Sequence, residues 1–546
     1  MKKYLALLLV LVMALGMFAA CGETTPPATN PKGTEPAGTT PVQTTAPAPK
    51  DPITLVWHVR GNGNQKDNAK VMEEFNKKLQ AIPGFEHITI DLRNNMAGEH
   101  KATVERVYTA KEQIDIVCTV NLVPIDMARD GYFVGLSQYF DKYPTLWETF
   151  PEWLWETQYI DDDYYVVPNY QRGSNPKIFA MRESDSKLCD WEGFCKLVKW
   201  ENGKSVGTFT QILDKVEEMY LDLKAAGRDI SMISPANFLI AYNQVTHWRE
   251  SLLQQTLDNS KSMFYADFAT GTVNSIVLDE EYKTAWEYAA KWFDAGYYPD
   301  DIELNAAQWL TWNSGKGWLQ IDQCAAWDDD AAEANFNAIH AEAMGEKSVV
   351  VRTNDKPYME NRWAAGGNAV SSTSEHPEDA VAFLTLLNSE EGKELYNMLV
   401  YGLEGVHWEW TDKENEIIRT FEYDSTQGSN ANSHAINKWC IGNTFNAYDN
   451  QGCAVGEREI AAQINEMGVT SPYAGIKIDA TELETEISNC AAVCGEYSAN
   501  IAYGIGGMAA FNEKYPQMID ALKKAGVETV ITELQSQIDD YIASRG

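Results

Sequence analysis

The chain has 546 residues, 44% of them hydrophobic, and 79 Asp and Glu against 44 Lys and Arg give a net charge of −35. So negative a balance argues against nucleic acid and the anionic membrane surface, which both select basic patches, and it favours a neutral ligand. The length is too great for one ordinary domain and suits two large ones.

In chain order, Lys2 and Lys3 precede an apolar run from Tyr4 to Ala20, the charge-then-apolar order of a secretory signal. Its 17 residues reach only the lower edge of a membrane span. Small residues then lead directly into a cysteine. The stretch Phe18-Ala19-Ala20-Cys21 resembles the lipobox of bacterial lipoproteins, with Phe18 where leucine is usual. That resemblance implies a lipid on Cys21, a new N-terminus there, and a body outside the cell; an uncleaved anchor is the alternative. Loss of Lys2 and Lys3 with the signal takes the net charge to −37. From Gly22 to Pro52 come eight Pro and eight Thr without one aromatic residue, a composition that stays disordered and partly extended. As polyproline, thirty such residues reach about 90 Å. The segment reads as a tether for a body that begins near Ile53.

The body opens with "ITLVWHV", in which Ile53, Leu55, Trp57 and Val59 alternate onto one face of a strand. Asn68 to Ala81 carries Val71, Met72, Phe75 and Leu79 at helical spacing and stops before Pro83-Gly84. "HITIDL" is a second strand, Glu99 to Gln113 a second helix and "IDIVCTV" a third strand. This alternation predicts a doubly wound α/β sheet, in which ligands sit beyond the carboxyl ends of the strands. Trp57 and Asn62 at the first exit, and Asn121 and Asp126 after the third strand, are therefore candidate ligand residues.

"DDDYYVVPNYQRG" follows as a short extended crossing whose Tyr170 is a candidate for the floor of a cleft. A mainly helical region includes Phe209 to Ala226 and Glu280 to Ala295, where Trp286 and Trp292 are read as packing. Trp147, Trp153 and Trp155 are read as core or lobe surface ahead of a ligand role. "KSVVVRTNDKPY" returns as a strand, and a helix then starts at Pro377 with Glu378 and Asp379 placed to favour its dipole. Two amphipathic helices, Met508 to Ala525 and Val527 to Ser544, close the chain.

This order resembles the extracellular solute-binding proteins of bacterial ABC importers. "NRWAAGGNAVSSTSEHPEDAVAFLTLLNSEEGKELYNMLVYGLEGVHWEW" is similar to the carbohydrate-binding branch found mainly in Gram-positive bacteria. "WCIGNTFNAY" and the ending from "GGMAAFNEKYPQ" resemble that branch's C-terminal module. The resemblance implies an α/β, two-lobed, periplasmic-binding-protein-like fold of type II, with doubly wound sheets joined by a hinge. It places residues 53–167 and 349–405 in lobe one and 168–348 and 406–546 in lobe two. A sugar or oligosaccharide would lie in the interlobe cleft, and permease subunits would recognise the closed form of a monomer. Trp327 in "QIDQCAAWDDD", Trp363 at the return to lobe one and Trp439 at the head of "WCIGN" join the candidate ligand residues. The 17 Trp and 26 Tyr suit such a ligand, because a pyranose packs its C–H faces on rings while its hydroxyls need polar partners.

Other chemistry finds little support in the motifs. "GNGNQKD" lacks the spacing of a phosphate loop, the acidic triplets at 161–163 and 328–330 lack calcium-loop spacing, and the eight His form no zinc-protease pattern. Nine Cys include no C-x-x-C pair, so neither a metal nor a cofactor is implied; with Cys21 lipidated, the other eight read as mostly free, buried thiols, an even count that permits disulfides without demanding them. A glycosidase needs two carboxylates about 5–10 Å apart across a sugar; the 79 acidic residues supply many carboxylates, but no segment offers a recognisable catalytic motif. It remains the enzyme alternative, beside a sugar-sensing or adhesion lipoprotein and a peptide-binding protein.

Overall fold

The computed structural model describes residues 50–174, 177–232, 246–253, 263–299, 316–323, 327, 329–359, 366–421, 434, 436–450, 457–473 and 475–545. Cys21 and Trp363 lie outside them. Asp51–Gly546 forms one compact unit. Eight strands position the site: β1 (Ile53–Gly61), β2 (Ile88–Met96), β3 (Ile116–Cys118), β4 (Val166–Pro168), β5 (Lys177–Arg182), β6 (Leu319–Gln323), β7 (Ser348–Arg352) and β8 (Gly367–Val370).

The first sheet has the order β2-β1-β3-β8-β4. β1 is parallel to β2, with Ile53 beside Ile88, and parallel to β3, with Trp57 beside Ile116. β8 runs antiparallel to both β3 and β4. The carboxyl ends of β1, β3 and β4 and the start of β8 therefore share one edge. Alternation along β1 sends Leu55, Trp57 and Val59 into a core with Phe75 and Leu79 of the helix Asn68–Leu79. The helix Pro377–Asn388 closes the same face: Pro377 opens it, and Phe383 meets Trp57 edge-on at 5.7 Å and Phe75 at 6.3 Å. The opposite face packs Val117, Val166 and Ala369 on Val104 and Val107 of the helix His100–Ala110. The sheet is thus covered on both sides, as a parallel sheet requires.

A second sheet runs β6-β5-β7, with both neighbours antiparallel to β5. Phe179 and Met181 point into the largest core, while Ile178 and Ala180 face Ala332 and Phe336 of the helix Asp329–Met344. That core also takes the helix Phe209–Ala225, started by a Thr208–Gln211 capping box, and the helix Glu280–Asp294, started by Asp279. The final helices Glu484–Ile501, Gly507–Ala525 and Val527–Arg545 pack there too. Trp286 and Trp292 are buried in it. Trp147 and Trp155 stack at 5.4 Å within the first core, whereas Trp153 is exposed.

Two boundaries differ from expectation. Residues 348–352 pair with β5, so the return to the first sheet falls at β8 rather than at 349. Trp408, Ile418, Ile436, Cys440 and Ala447 pack in the first core, although residues after 405 were expected in the other lobe. Apolar side chains follow the nearest core, and "WCIGN" is captured by the first sheet. Among the described residues, no helix is long and apolar enough to cross a membrane.

Candidate functional site

The shared edge of the first sheet is a polar rim built on tightly packed backbone. Thr119 N–H donates to the Gly367 carbonyl at 2.9 Å, and Gly367 N–H returns a bond to Thr119 Oγ1 at 3.0 Å. A Cβ on Gly367 would stand 2.4 Å from the Val167 carbonyl oxygen, so only glycine permits this approach. Asn368 then projects a buried amide into the rim. Its Oδ1 accepts from Trp57 Nε1 at 2.9 Å, and its Nδ2 donates to Asn169 Oδ1 at 3.1 Å and the Cys440 carbonyl at 3.2 Å. Asn169, fully buried after β4, keeps Nδ2 without a partner. Asn121, held in the left-handed region at φ 70°, keeps a buried Oδ1 without one. Arg60 leaves β1 with its guanidinium 4.7 Å from the Trp439 ring centroid and its buried Nε unpaired.

Beside this rim, Tyr170 lies 4.6 Å from Phe445 and edge-on to Trp153 at 6.4 Å. Burial raises its hydroxyl pKa, partly offset by a hydrogen bond with Asn465. Asn465 also accepts from Gly173 N–H at 2.6 Å and donates to the Gln171 carbonyl at 3.0 Å, pinning the crossing that leads from β4 to β5.

A similar group stands where β5 begins and β7 ends. The Arg352 guanidinium covers the half-buried Trp327 ring at 4.3 Å and lies 3.6 Å from Asp329. Asn354 accepts from Lys177 N–H at 3.0 Å, and its buried Nδ2 is unpaired. Residues 169–174 leave the first polar edge and residues 353–359 leave this one, so the two groups are linked by two crossings of the chain. The crossings touch each other: a Cβ on Gly173 would meet Met359 Cε at 2.0 Å.

Each edge thus offers an Arg stacked on a Trp, with amide atoms that are buried and unsatisfied. An unpaired buried amide costs about 1–3 kcal/mol, so such atoms select a ligand that supplies hydroxyls. Among the described residues, no group of three or more His, Cys, Asp or Glu could hold a metal ion.

The comparisons with known proteins agree with this architecture. The chain superposes on an N-glycan transport solute binding protein (NgtS) of Streptococcus pneumoniae with a TM-score of 0.68 and 17% identity. The alignment covers 91% of this chain and 100% of the other. The chain adopts the solute-binding-protein fold. NgtS in complex with Man1GlcNAc gives a TM-score of 0.62 at 18% identity, over 90% of this chain and 99% of that one. An HMO-binding, ABC-transporter-associated solute binding protein of Bifidobacterium longum infantis gives 0.56 at 15%, over 90% and 99%. A carbohydrate ABC transporter substrate-binding protein of Streptococcus pneumoniae is 24% identical over 259 residues, 47% of this chain and 48% of its own length. The match therefore spans about half of that relative. A family model described as a domain of unknown function, DUF3502, matches residues 472–543, which hold the three final helices.

Within this solute-binding fold the candidates named from sequence divide clearly. Asn121, Tyr170 and Trp439 stand along the first edge, and Trp327 stands at the second. Asn62 is exposed and bridges Met96 on the far side of β1, and Asp126 is exposed in the first turn of the helix Pro124–Arg129. Trp57 is a correction: it is fully buried, its ring lies against Phe383, and its N–H is spent on Asn368. It supports the rim from behind. Sequence reading missed Arg60, Asn169, Asn368, Arg352 and Asn354. Their common signal is a polar residue directly at the end of a buried apolar strand.

Proposed function

We propose that this chain is the substrate-binding lipoprotein of an ABC importer, capturing a neutral oligosaccharide between the two polar edges and presenting it to permease subunits. The observation that carries this reading is the doubled arrangement, Arg60 on Trp439 and Arg352 on Trp327, each beside unsatisfied asparagine amides. A ligand touching both groups stabilises the arrangement that brings them together, and the crossings that hold residues 169–174 and 353–359 act as the hinge. The two cores are then two lobes, the first holding β1–β4 and β8 and the second holding β5–β7 with the final helices. The relative named as a carbohydrate ABC transporter protein and the glycan complexes of NgtS support a sugar of more than one unit. Cys21 carries the lipid, residues 22–52 form the tether, and the body works as a monomer on the outer face of the membrane. The bound sugar leaves chemically unchanged.

The test is ligand-dependent thermal stabilisation across a panel of mannose-GlcNAc glycans, milk oligosaccharides and fructo-oligosaccharides, with peptides as controls. A ligand at a hundredfold excess over Kd adds about 2.7 kcal/mol to the folded state. Chromatography after long incubation should return the bound sugar intact. Turnover of that sugar would favour a glycosidase, and stabilisation by peptides alone would remove the sugar reading.

A further inference from the structure

Cys118 ends β3, Cys440 ends the short helical turn Lys438–Cys440, and both side chains are fully buried. Both are free cysteines, and their side chains interact although 322 positions separate them. Asn368 fixes the backbones on either side: it is the strand partner of Cys118, and its amide donates to the Cys440 carbonyl at 3.2 Å. The surrounding contacts leave both segments little freedom. His100 Nε2 bonds the Cys118 carbonyl at 2.8 Å, Cys440 N–H donates to the Asn437 carbonyl at 2.9 Å, and the Tyr396 hydroxyl donates to the Lys438 carbonyl at 2.6 Å. Cys189, by contrast, turns to Met181 Sδ at 3.8 Å and the Asp185 carbonyl at 3.6 Å. Two cysteines carried on segments that one asparagine holds side by side are placed for their side chains to rotate together into a disulfide.

We propose that Cys118 and Cys440 form a disulfide as the chain folds outside the reducing cytosol, and that this bond locks the Arg60–Trp439 stack onto the first edge. Arg60 is the link to the site. It interacts with both cysteine side chains, and Cys440 is joined directly to Trp439. The disulfide therefore ties together the chain segments that carry the stack. Because both sulfurs are buried in the finished fold, closure belongs to a partly folded chain in which β3 and residues 438–440 are still open to solvent. The oxidant is a low-molecular-weight disulfide. The Cys118 thiolate attacks one of its sulfurs and expels a first thiol. The deprotonated Cys440 then attacks the Cys118 sulfur of the mixed disulfide and expels a second. Two protein thiols and one small disulfide become one protein disulfide and two small thiols, with two electrons passing to the oxidant. The exposure to oxidant rests on the extracellular placement proposed above; the pairing itself does not.

The test uses the full chain, reduced in denaturant and refolded in oxidised and reduced glutathione. Free thiols are alkylated under denaturing conditions, and the protein is digested without reduction for mass spectrometry. The peptide holding Cys118 should appear cross-linked to the peptide holding Cys440, and reductant should separate them. Cys440→Ser should leave Cys118 alkylated, and oxidised wild type should melt higher than the same sample kept in dithiothreitol. Finding both positions alkylated in the refolded wild type, or Cys118 joined to a different cysteine, overturns the proposal. Sugar binding measured on the same samples reports separately on the function, so either reading can fail alone.

Discussion

The indole N–H of Trp57 donates to Asn368 Oδ1 at 2.9 Å, joining two buried residues 311 positions apart. The bond locks the middle of β1 to the start of β8, and from there Asn368 reaches Asn169 and the Cys440 carbonyl. One amide thus ties three parts of the first edge together. Its removal leaves the Trp57 donor and a carbonyl buried without partners.

Asn368→Ala should therefore lower stability by about 2–4 kcal/mol, the cost of stranding more than one buried polar group. Trp57→Ala should cost about 3–5 kcal/mol through the cavity it opens against Phe383 and Phe75. Urea denaturation checks both. The loss at Trp57 should be the same with and without saturating sugar once the ligand's own stabilisation is subtracted, because the ring takes no part in binding.

Trp57 also shows how far the sequence could be read. Its alternation with Leu55 and Val59 assigned it to the buried face, while its place near the exit of β1 suggested the ligand. The periodicity was the better guide, since the strand continues to Gly61 and the rim begins at Arg60. The βαβαβ opening was legible because every element has a clean period. The second sheet was less so: β6 and β7 flank β5 from more than 130 positions away, and local pattern carries no information on that pairing. Arg60 and Arg352 escaped notice for a related reason, as stacking on Trp439 and Trp327 depends entirely on long-range placement.

Acid should weaken the fold through two buried histidines. Burial lowers the pKa of His100 and of His434 to about 4 in the folded chain, against an ordinary value of 6.5. Above pH 6.5 both are neutral, folded or unfolded, and no proton difference exists. Between 6.5 and 4 the unfolded chain takes up protons that the folded chain refuses, so stability falls as pH falls. Two and a half units correspond to roughly 3 kcal/mol for each residue. Denaturation midpoints at pH 7.5 and 4.5 measure the drop, and His434→Asn should reduce it.

The anchor is tested in cells. If the proposed anchor is right, Cys21→Ala should release the chain from membranes into the medium, because acyl chains at that cysteine would supply the attachment. Fractionation followed by salt and carbonate washing distinguishes the cases. A mutant that stays in the membrane pellet would mean that the apolar run from Tyr4 to Ala20 is itself the anchor.

The two Arg–Trp stacks make the sharpest prediction about ligand binding. Trp439 and Trp327 are each half-buried, each beneath a guanidinium, and each on an edge that also carries an asparagine with an unsatisfied amide nitrogen or oxygen. Neither ring is among the fully buried aromatic side chains of the two cores. Truncating either to Ala should weaken sugar binding by about 1–3 kcal/mol, roughly 5- to 150-fold in Kd, while the unliganded melting temperature changes little. Arg60→Lys and Arg352→Lys keep the charge but lose the planar face and the fixed fork of donors, so each should reproduce much of its partner's loss. A ligand held between lobes adds a further signature. Because closure needs contacts on both sides, Trp439→Ala and Trp327→Ala should each abolish the compaction on sugar addition seen by small-angle scattering, not merely raise the sugar needed for it. If only one of the two weakened binding and the other left compaction intact, the sugar would belong to a single edge and the cleft reading would fail.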